Sequence, residues 1–439
     1  MPDNHTTTET PGLAGKVQEP VAVSGNDPTR ATWFGSLGLG LFIHWSVDVQ
    51  LGSVISHSMV GASEDYLNRF INELPRTFNP TRFDPDDWAR QAKAAGVRYV
   101  VFTTKHHSGF CMFNTQSTNF NVMNTPYGKD ITQEIVDAFR NWDIKIGFYF
   151  SPDDFWFLHN QGHEVSRMRP EALPTNNPEL MAYNKAQVTE LLTNYGFIDM
   201  MFFDGVPVGL NELTRELSPQ TLVTRGGMAT PEQKIPDSPL PPPWEANFTL
   251  GTQWSYKPTH ETYKSGTKLI EMLIETRAKG GNLLLNVGPK PNGELPLQQT
   301  DRMQELALWM FTNRDAIYDT ESLPTIRETL NLDHEAWFTH KGDTVYAIIT
   351  GKAWARGERK TISLTTIRAT EATEVEILGQ SGNVLEYHPN VNPKASWTQD
   401  AHFLHISAMR AQRLHNDYKW PNPVVIKITN ATWREGNYQ

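Results

Sequence analysis

From Trp33 to about Asn313 the chain alternates short, nearly continuous apolar runs with stretches whose apolar residues recur at helical spacing. The runs 38–45, 97–107, 144–151, 197–204, 221–227 and 282–289 read as strands. The stretches 84–96, 130–142, 177–196, 263–281 and 297–314 read as helices, the first with an acidic opening turn and a glycine stop. Strands that are apolar on both faces belong in a parallel sheet covered by helices. Their alternation with helices over roughly 250 residues has the size and pattern of a (β/α)8-like barrel. A doubly wound sheet would place a glycine-rich phosphate loop after its first strand, where this chain has FIHWSVDVQLG. From about residue 322 helical periodicity gives way to short runs of period two, with KGD and QSGN as turns, which predicts a C-terminal antiparallel β-sandwich. The expected plan is a flexible tail over 1–30, the barrel over 31–320 and the sandwich over 321–439. A proline-rich stretch, IPDSPLPPPWE (235–245), reads as a stiff loop running into Trp244 and Glu245.

Composition narrows the partners. With charged residues at 20% and aromatics at 11%, the chain is too apolar and aromatic to be disordered. A formal net charge of −10, without a clustered Lys/Arg face, excludes nucleic acid and anionic membrane as expected partners. No apolar run is long enough for membrane insertion. The single cysteine, Cys111, rules out an intrachain disulfide. The N-terminus has no signal-peptide apolar core, which leaves a cytosolic protein or one whose signal has been removed. Oligomeric state is not readable from the pattern.

Barrel chemistry is expected at the C-terminal ends of the strands. There the chain places His44-Trp45, then Lys105-His106-His107, then Tyr149-Phe150-Ser151, then Asp204, then Arg225. Past the proline loop come Trp244, Glu245 and Trp254. Each has a plain structural reading: a satisfied histidine, a turn-capping aspartate, a solvated glutamate, a core tryptophan. Together, two carboxylates, three histidines, an arginine, a tyrosine and indole faces describe a polyol pocket. Hydroxyls need many fixed donors and acceptors, and the C–H face of a sugar stacks on rings. Two carboxylates at one rim suit glycoside hydrolysis with retention. Asp204, rigid at a strand end, fits the nucleophile; Glu245, beside the Trp244 indole, fits the acid/base.

Several motifs, in order, resemble glycoside hydrolase family 29, the α-L-fucosidases: WFGSLGLGLFIHW (33–45), the 78–113 stretch with TKHHSGF, NTPYGKDITQEIVDAFR (124–140), IGFYFSP (146–152), DMMFFDG (199–205) and GGNLLLNVGPKPNGELP (280–296). The resemblance covers most of 33–316. It implies a (β/α) barrel followed by a β-sandwich, retaining hydrolysis of α-L-fucosides of oligosaccharides or polysaccharides, and no cofactor or metal. It implies Asp204 as nucleophile and His44, His106 and His107 as ligands of fucose hydroxyls, with Tyr149 and Arg225 near the sugar. Glu245 matches the acid/base in order and surroundings. Trp45, Phe202, Trp244 and Trp254 complete the expected substrate-binding set. The chain departs from the family pattern at Ser46 (usually Gly), Ser108 (usually Asp) and Phe202 (often Trp), and residues 53–70 lack a GEW motif. Either His57 or Glu64 is a candidate to substitute for its glutamate, with a plain loop role the expectation for both.

Three rivals compete. A metallohydrolase built on His44, His106, His107 and Asp204 is disfavoured because the adjacent histidines start on opposite faces of a strand. A sugar-binding barrel without turnover is disfavoured by two retained carboxylates. An α-L-galactosidase would keep the same chemistry, since an apolar pocket discriminates weakly against one added hydroxyl.

Overall fold

The computed structural model describes residues 25–434 except 332, 412–418 and 421. Seven parallel strands form its central sheet: β1 (Leu39–Ile43), β2 (Tyr99–Lys105), β3 (Lys145–Phe150), β4 (Met200–Phe203), β5 (Leu222–Val223), β6 (Glu245–Thr249) and β7 (Asn282–Val287). Their spatial order is β5-β4-β3-β2-β1-β7-β6, a curled sheet. Helices between the strands cover its outer face. Their starts are fixed by side chains that accept an orphan N–H of the first turn: Asp84, Asp130, Asn177 and Ser265.

The gap between β5 and β6 is bridged by an irregular extended segment, residues 229–233. Glu245 N donates to Ala229 O, Asn247 N to Pro231 O, and Gln233 N to Asn247 O. Glu232 and Asn247 pair in parallel there. This seam stands where a regular strand would be, and β6 follows it directly after the proline-rich loop.

Alternate strand residues face opposite sides. Phe42, Tyr99, Val101, Tyr149, Met200, Phe202 and Leu284 fill the barrel, plugged at its N-terminal end by Ala31, Phe34 and Leu37 of the helix Pro28–Gly35 and the turn after it. Asn26 trades hydrogen bonds with the backbone of Val223, so the chain is bound to the barrel from at least that residue. The expected tail therefore ends before residue 30, and residues 1–24 lie outside the described residues.

After the helix Leu297–Asn313 the chain enters antiparallel sheets of five and three strands, with a separate two-stranded ribbon. Arg277, fully buried, staples the two parts. Its guanidinium donates to the carbonyls of Gly35, Gly281, Ile317 and Thr320. Trp309 adds an indole bond to Pro423 O. Trp354 is buried in the C-terminal part, and Trp397 is half-buried with its indole N–H on Thr373 O.

Candidate active site

A pocket of about 380 Å³ opens at the C-terminal end of the sheet, enough for one monosaccharide. Its floor carries Phe42, His44, His106, His107, Tyr149, Phe202, Asp204 and Arg225, with Asn247 and Trp254 on the β6 side. His57, Val60, Met168 and Glu232 are its exposed rim, and Arg167 is a half-buried part of its wall.

Asp204 follows β4 and continues its ladder, its N–H on Phe150 O. Its carboxylate is held from three sides. Tyr149 Oη donates to Oδ2 at 2.6 Å, His107 Nε2 lies 3.4 Å from Oδ2, and Arg225 Nη1 donates to Oδ1 at 3.2 Å. Burial pushes the carboxyl up, but the hydrogen bond and charge of His107, with Arg225 and Arg167, outweigh it and hold Asp204 well below the ordinary carboxylate range. It is an anchored anion. Burial and Asp204 together keep Tyr149 a phenol.

The three histidines are not alike. Burial lowers His44 to about 3, so it is neutral. Asn286 gives its amide N–H to Trp254 O, which turns its carbonyl oxygen to His44 Nδ1 at 2.6 Å. The His44 proton therefore sits on Nδ1, and Nε2 is an acceptor. His106 is also neutral, lowered by burial and by His107 and His44, but its Nδ1 accepts the backbone N–H of His107, so its Nε2 is a donor. One acceptor and one donor, with ring centroids 5.5 Å apart, make a fitting pair for sugar hydroxyls. Burial and Arg167 push His107 down, while Asp153 and Asp204 push it up, and the carboxylates win. Both adjacent histidines reach the pocket because β2 ends at Lys105, after a register shift, before either ring is placed.

Glu232 is the second carboxylate of this pocket. It rides on the seam, its side chain is 38% exposed, and it accepts from Arg225 Nη2 at 2.9 Å. One guanidinium, fixed by Thr230 and stacked over Phe202, thus bridges Asp204 and Glu232. The two carboxylates are thereby joined through one side chain at the same end of the barrel.

Three expected site residues lie elsewhere. Glu245 opens β6, so it stands at the N-terminal end of the barrel interior, fully buried, with Tyr99 Oη donating to its Oε2 at 2.6 Å. Gly40 leaves the space through which the Tyr99 ring passes. Trp244 is buried against Gly281 at the same end, its indole on Lys279 O. Trp45 points outward, as the neighbour of inward-facing His44 must, and packs on Phe78, Phe83 and Trp88. Glu64 begins the helix Glu64–Asn72 with its side chain mostly exposed near His159, and it does not line the pocket. His57 does.

Glu232, Arg167, Asn247 and Asp153 escaped the sequence reading. The signal for Glu232 was positional: TPEQK (230–234) follows the end of a strand, whereas Glu245 precedes one.

His106, His107 and Asp204 bring donor atoms within 4.8 Å of one another. Most of their polar atoms are already engaged: His106 Nδ1 accepts an N–H, His107 faces two carboxylates, and Asp204 accepts from a phenol and a guanidinium. Two arginines beside Asp204 disfavour a further cation.

A family model described as Alpha-L-fucosidase matches residues 12–315. Plasma alpha-L-fucosidase of Rattus norvegicus is 27% identical over 397 residues, covering 79% of this chain and 82% of the relative. Tissue alpha-L-fucosidase of Mus musculus is 27% identical over 403 residues, covering 84% and 85%. Among solved structures, alpha-L-fucosidase isoenzyme 1 from Paenibacillus thiaminolyticus superposes with a TM-score of 0.73 at 29% identity, covering 91% of this chain and 98% of that one. Thermotoga maritima alpha-fucosidase in complex with fucose shares the fold with a TM-score of 0.73 at 22% identity, covering 93% and 100%.

Proposed function

The chain belongs to the α-L-fucosidase family, glycoside hydrolases of family 29, and from that premise we propose that it is a retaining, exo-acting enzyme in which Asp204 is the nucleophile and Glu232 the acid/base. The observation that carries this reading is the Arg225 guanidinium shared by an anchored carboxylate on the floor and a solvent-open one on the rim.

In the first step an Asp204 oxygen bonds to the anomeric carbon. The bond from that carbon to the glycosidic oxygen breaks, and Glu232 gives its proton to the departing oxygen. The products are a fucosyl–Asp204 ester and a free alcohol. In the second step Glu232, now a carboxylate, takes a proton from water. The water oxygen bonds to the same carbon, and Asp204 leaves as a carboxylate. Two inversions give net retention. Glu232, open to bulk water, exchanges its proton there between turnovers.

The neutral His44 and His106 bind hydroxyls as acceptor and donor, and the rings of Phe42, Phe202 and Trp254 supply apolar surface for the C5 methyl. The enclosed floor takes one terminal sugar and leaves the remainder of the fucosylated oligosaccharide or polysaccharide at the rim.

Proton NMR of early product tests the stereochemistry: α-fucose must appear first, and β-fucose first sinks retention. Asp204→Ala must abolish turnover of an aryl fucoside in folded protein. Glu232→Ala must slow substrates with poor leaving groups most, by about 10²–10⁴-fold, with azide restoring part of the rate on an activated aryl fucoside. Full activity of Glu232→Ala on an oligosaccharide removes it as the acid.

A further inference from the structure

Behind the nucleophile runs a line of alternating charges that the two-carboxylate reaction does not itself require. Arg167 Nε lies 2.8 Å from Asp153 Oδ2, the same oxygen lies 3.2 Å from His107 Nδ1, and His107 Nε2 lies 3.4 Å from Asp204 Oδ2. Asp153 is 1% exposed and His107 1%. Ser151 Oγ donates to the Asp153 carbonyl and faces His107 Nδ1 at 2.5 Å, so it stands there as an acceptor. Nδ1 thus meets two oxygens and Nε2 meets a carboxylate, a surrounding that calls for a proton on both ring nitrogens.

We propose that Asp153 is a positioning residue that keeps His107 an imidazolium aimed at Asp204, so that the departure of Asp204 in the second step is assisted by a fixed positive charge. The proposal rests on the retaining reading above. Its physics is differential. When the ester breaks, negative charge grows on Asp204, and a preorganised cation opposite that oxygen stabilises it. When Asp204 attacks, the same cation restrains it, and the buried anion of Asp153 tempers that restraint. Loss of charge on His107 therefore slows the second step and leaves the first near its original rate.

The groups around His107 pull both ways: Asp153, Asp204 and Asp48 favour the imidazolium, Arg167, His106 and His44 oppose it, and the carboxylates prevail. Asp153 comes from the end of β3, Asp204 from the end of β4, Arg167 from the wall of the pocket, Asp48 from the segment after β1, and His106 and His44 from the strand ends beside it. Burial pushes Asp153 up, but Arg167 and His107 hold it at about 2, so it is an anion throughout the working range.

Asp153→Asn tests this with a 2-deoxy-2-fluoro-fucosyl fluoride, which traps the ester and separates the steps. Labelling, followed by intact mass, is expected within about threefold of the wild type, and reactivation at least tenfold slower. On a natural substrate kcat and KM fall together, kcat/KM is nearly kept, and the alkaline limb of kcat moves to lower pH. Equal loss in both steps, or an unchanged alkaline limb, overturns the proposal. Should Asp153→Asn fold poorly, Ser151→Ala removes the other oxygen facing Nδ1 and must show the same split in smaller degree; no split there also overturns it. Failure of the wild type to be labelled at all instead overturns the retaining reading.

Discussion

Glu232 and Glu245 sit on two hydrogen-bonded backbone segments of one barrel, and their surroundings assign them opposite work. Glu245 is sealed with Tyr99 at the plugged end, and Glu232 stands in water beside a cation. Glu245→Gln is expected to keep kcat within about threefold and to lower the melting temperature, because disturbing a fully buried hydrogen bond costs about 1–3 kcal/mol. Glu232→Gln reverses the pattern, with the melt kept and turnover lost; kinetics and calorimetry on both variants check this. The neutral histidines give a second prediction at this scale. His44 titrates near 3 in the folded chain and near 6.5 when unfolded. The unfolded state therefore binds the extra proton between those values. Stability is whole above about 6.5 and falls by about 1.4 kcal/mol per pH unit per proton as pH drops towards 3. His106 adds to the same slope, its position being lowered too. His44→Gln should flatten the acid limb of a melting-temperature profile, and an unchanged slope refutes the assignment.

At the scale of elements, the strands that carry apolar residues on both faces were legible, and with them the rim residues that follow them: His44, His106, His107, Tyr149, Asp204 and Arg225. β6 was not. Its sequence EANFT places Glu245, Asn247 and Thr249 inward, where this barrel is polar, and only Ala246 and Phe248 outward. The usual sign of a buried parallel strand was therefore missing. A carboxylate opening a strand was read as one closing a loop, and the error moved the expected acid the length of a strand. β5 falls inside the run 221–227 read as a strand, but the irregular seam beside it, residues 229–233, lacks any periodicity to read. Trp244 followed Glu245 into the same misplacement, and Trp45 was lost to the alternation of faces. Trp244→Ala accordingly belongs to stability: a loss of roughly 3–5 kcal/mol, read by denaturant unfolding, with KM unchanged in the protein that remains folded.

Across the molecule, the barrel and the antiparallel sheets meet over a continuous core, and Arg277 ties the plugging helix, the start of β7 and the exit towards the sandwich to one guanidinium. Burial lowers that group to about 10, so it stays charged at neutral pH. Arg277→Met removes the donors of four carbonyls at once and is expected to cost about 1–3 kcal/mol for each acceptor left buried and unsatisfied, seen as a lower melting temperature with an unaltered KM for any enzyme still folded. The seam between β5 and β6 carries the opposite lesson. Glu232 hangs from a stretch knitted to its neighbour by a few backbone bonds and followed by prolines that bear no ladder. Residues can be gained or lost in that stretch without disturbing any complete strand. With Glu232 as the proposed proton donor, a lineage built this way can shift that group along the chain, and with it the alcohols it releases, while the anchored aspartate across the pocket never moves.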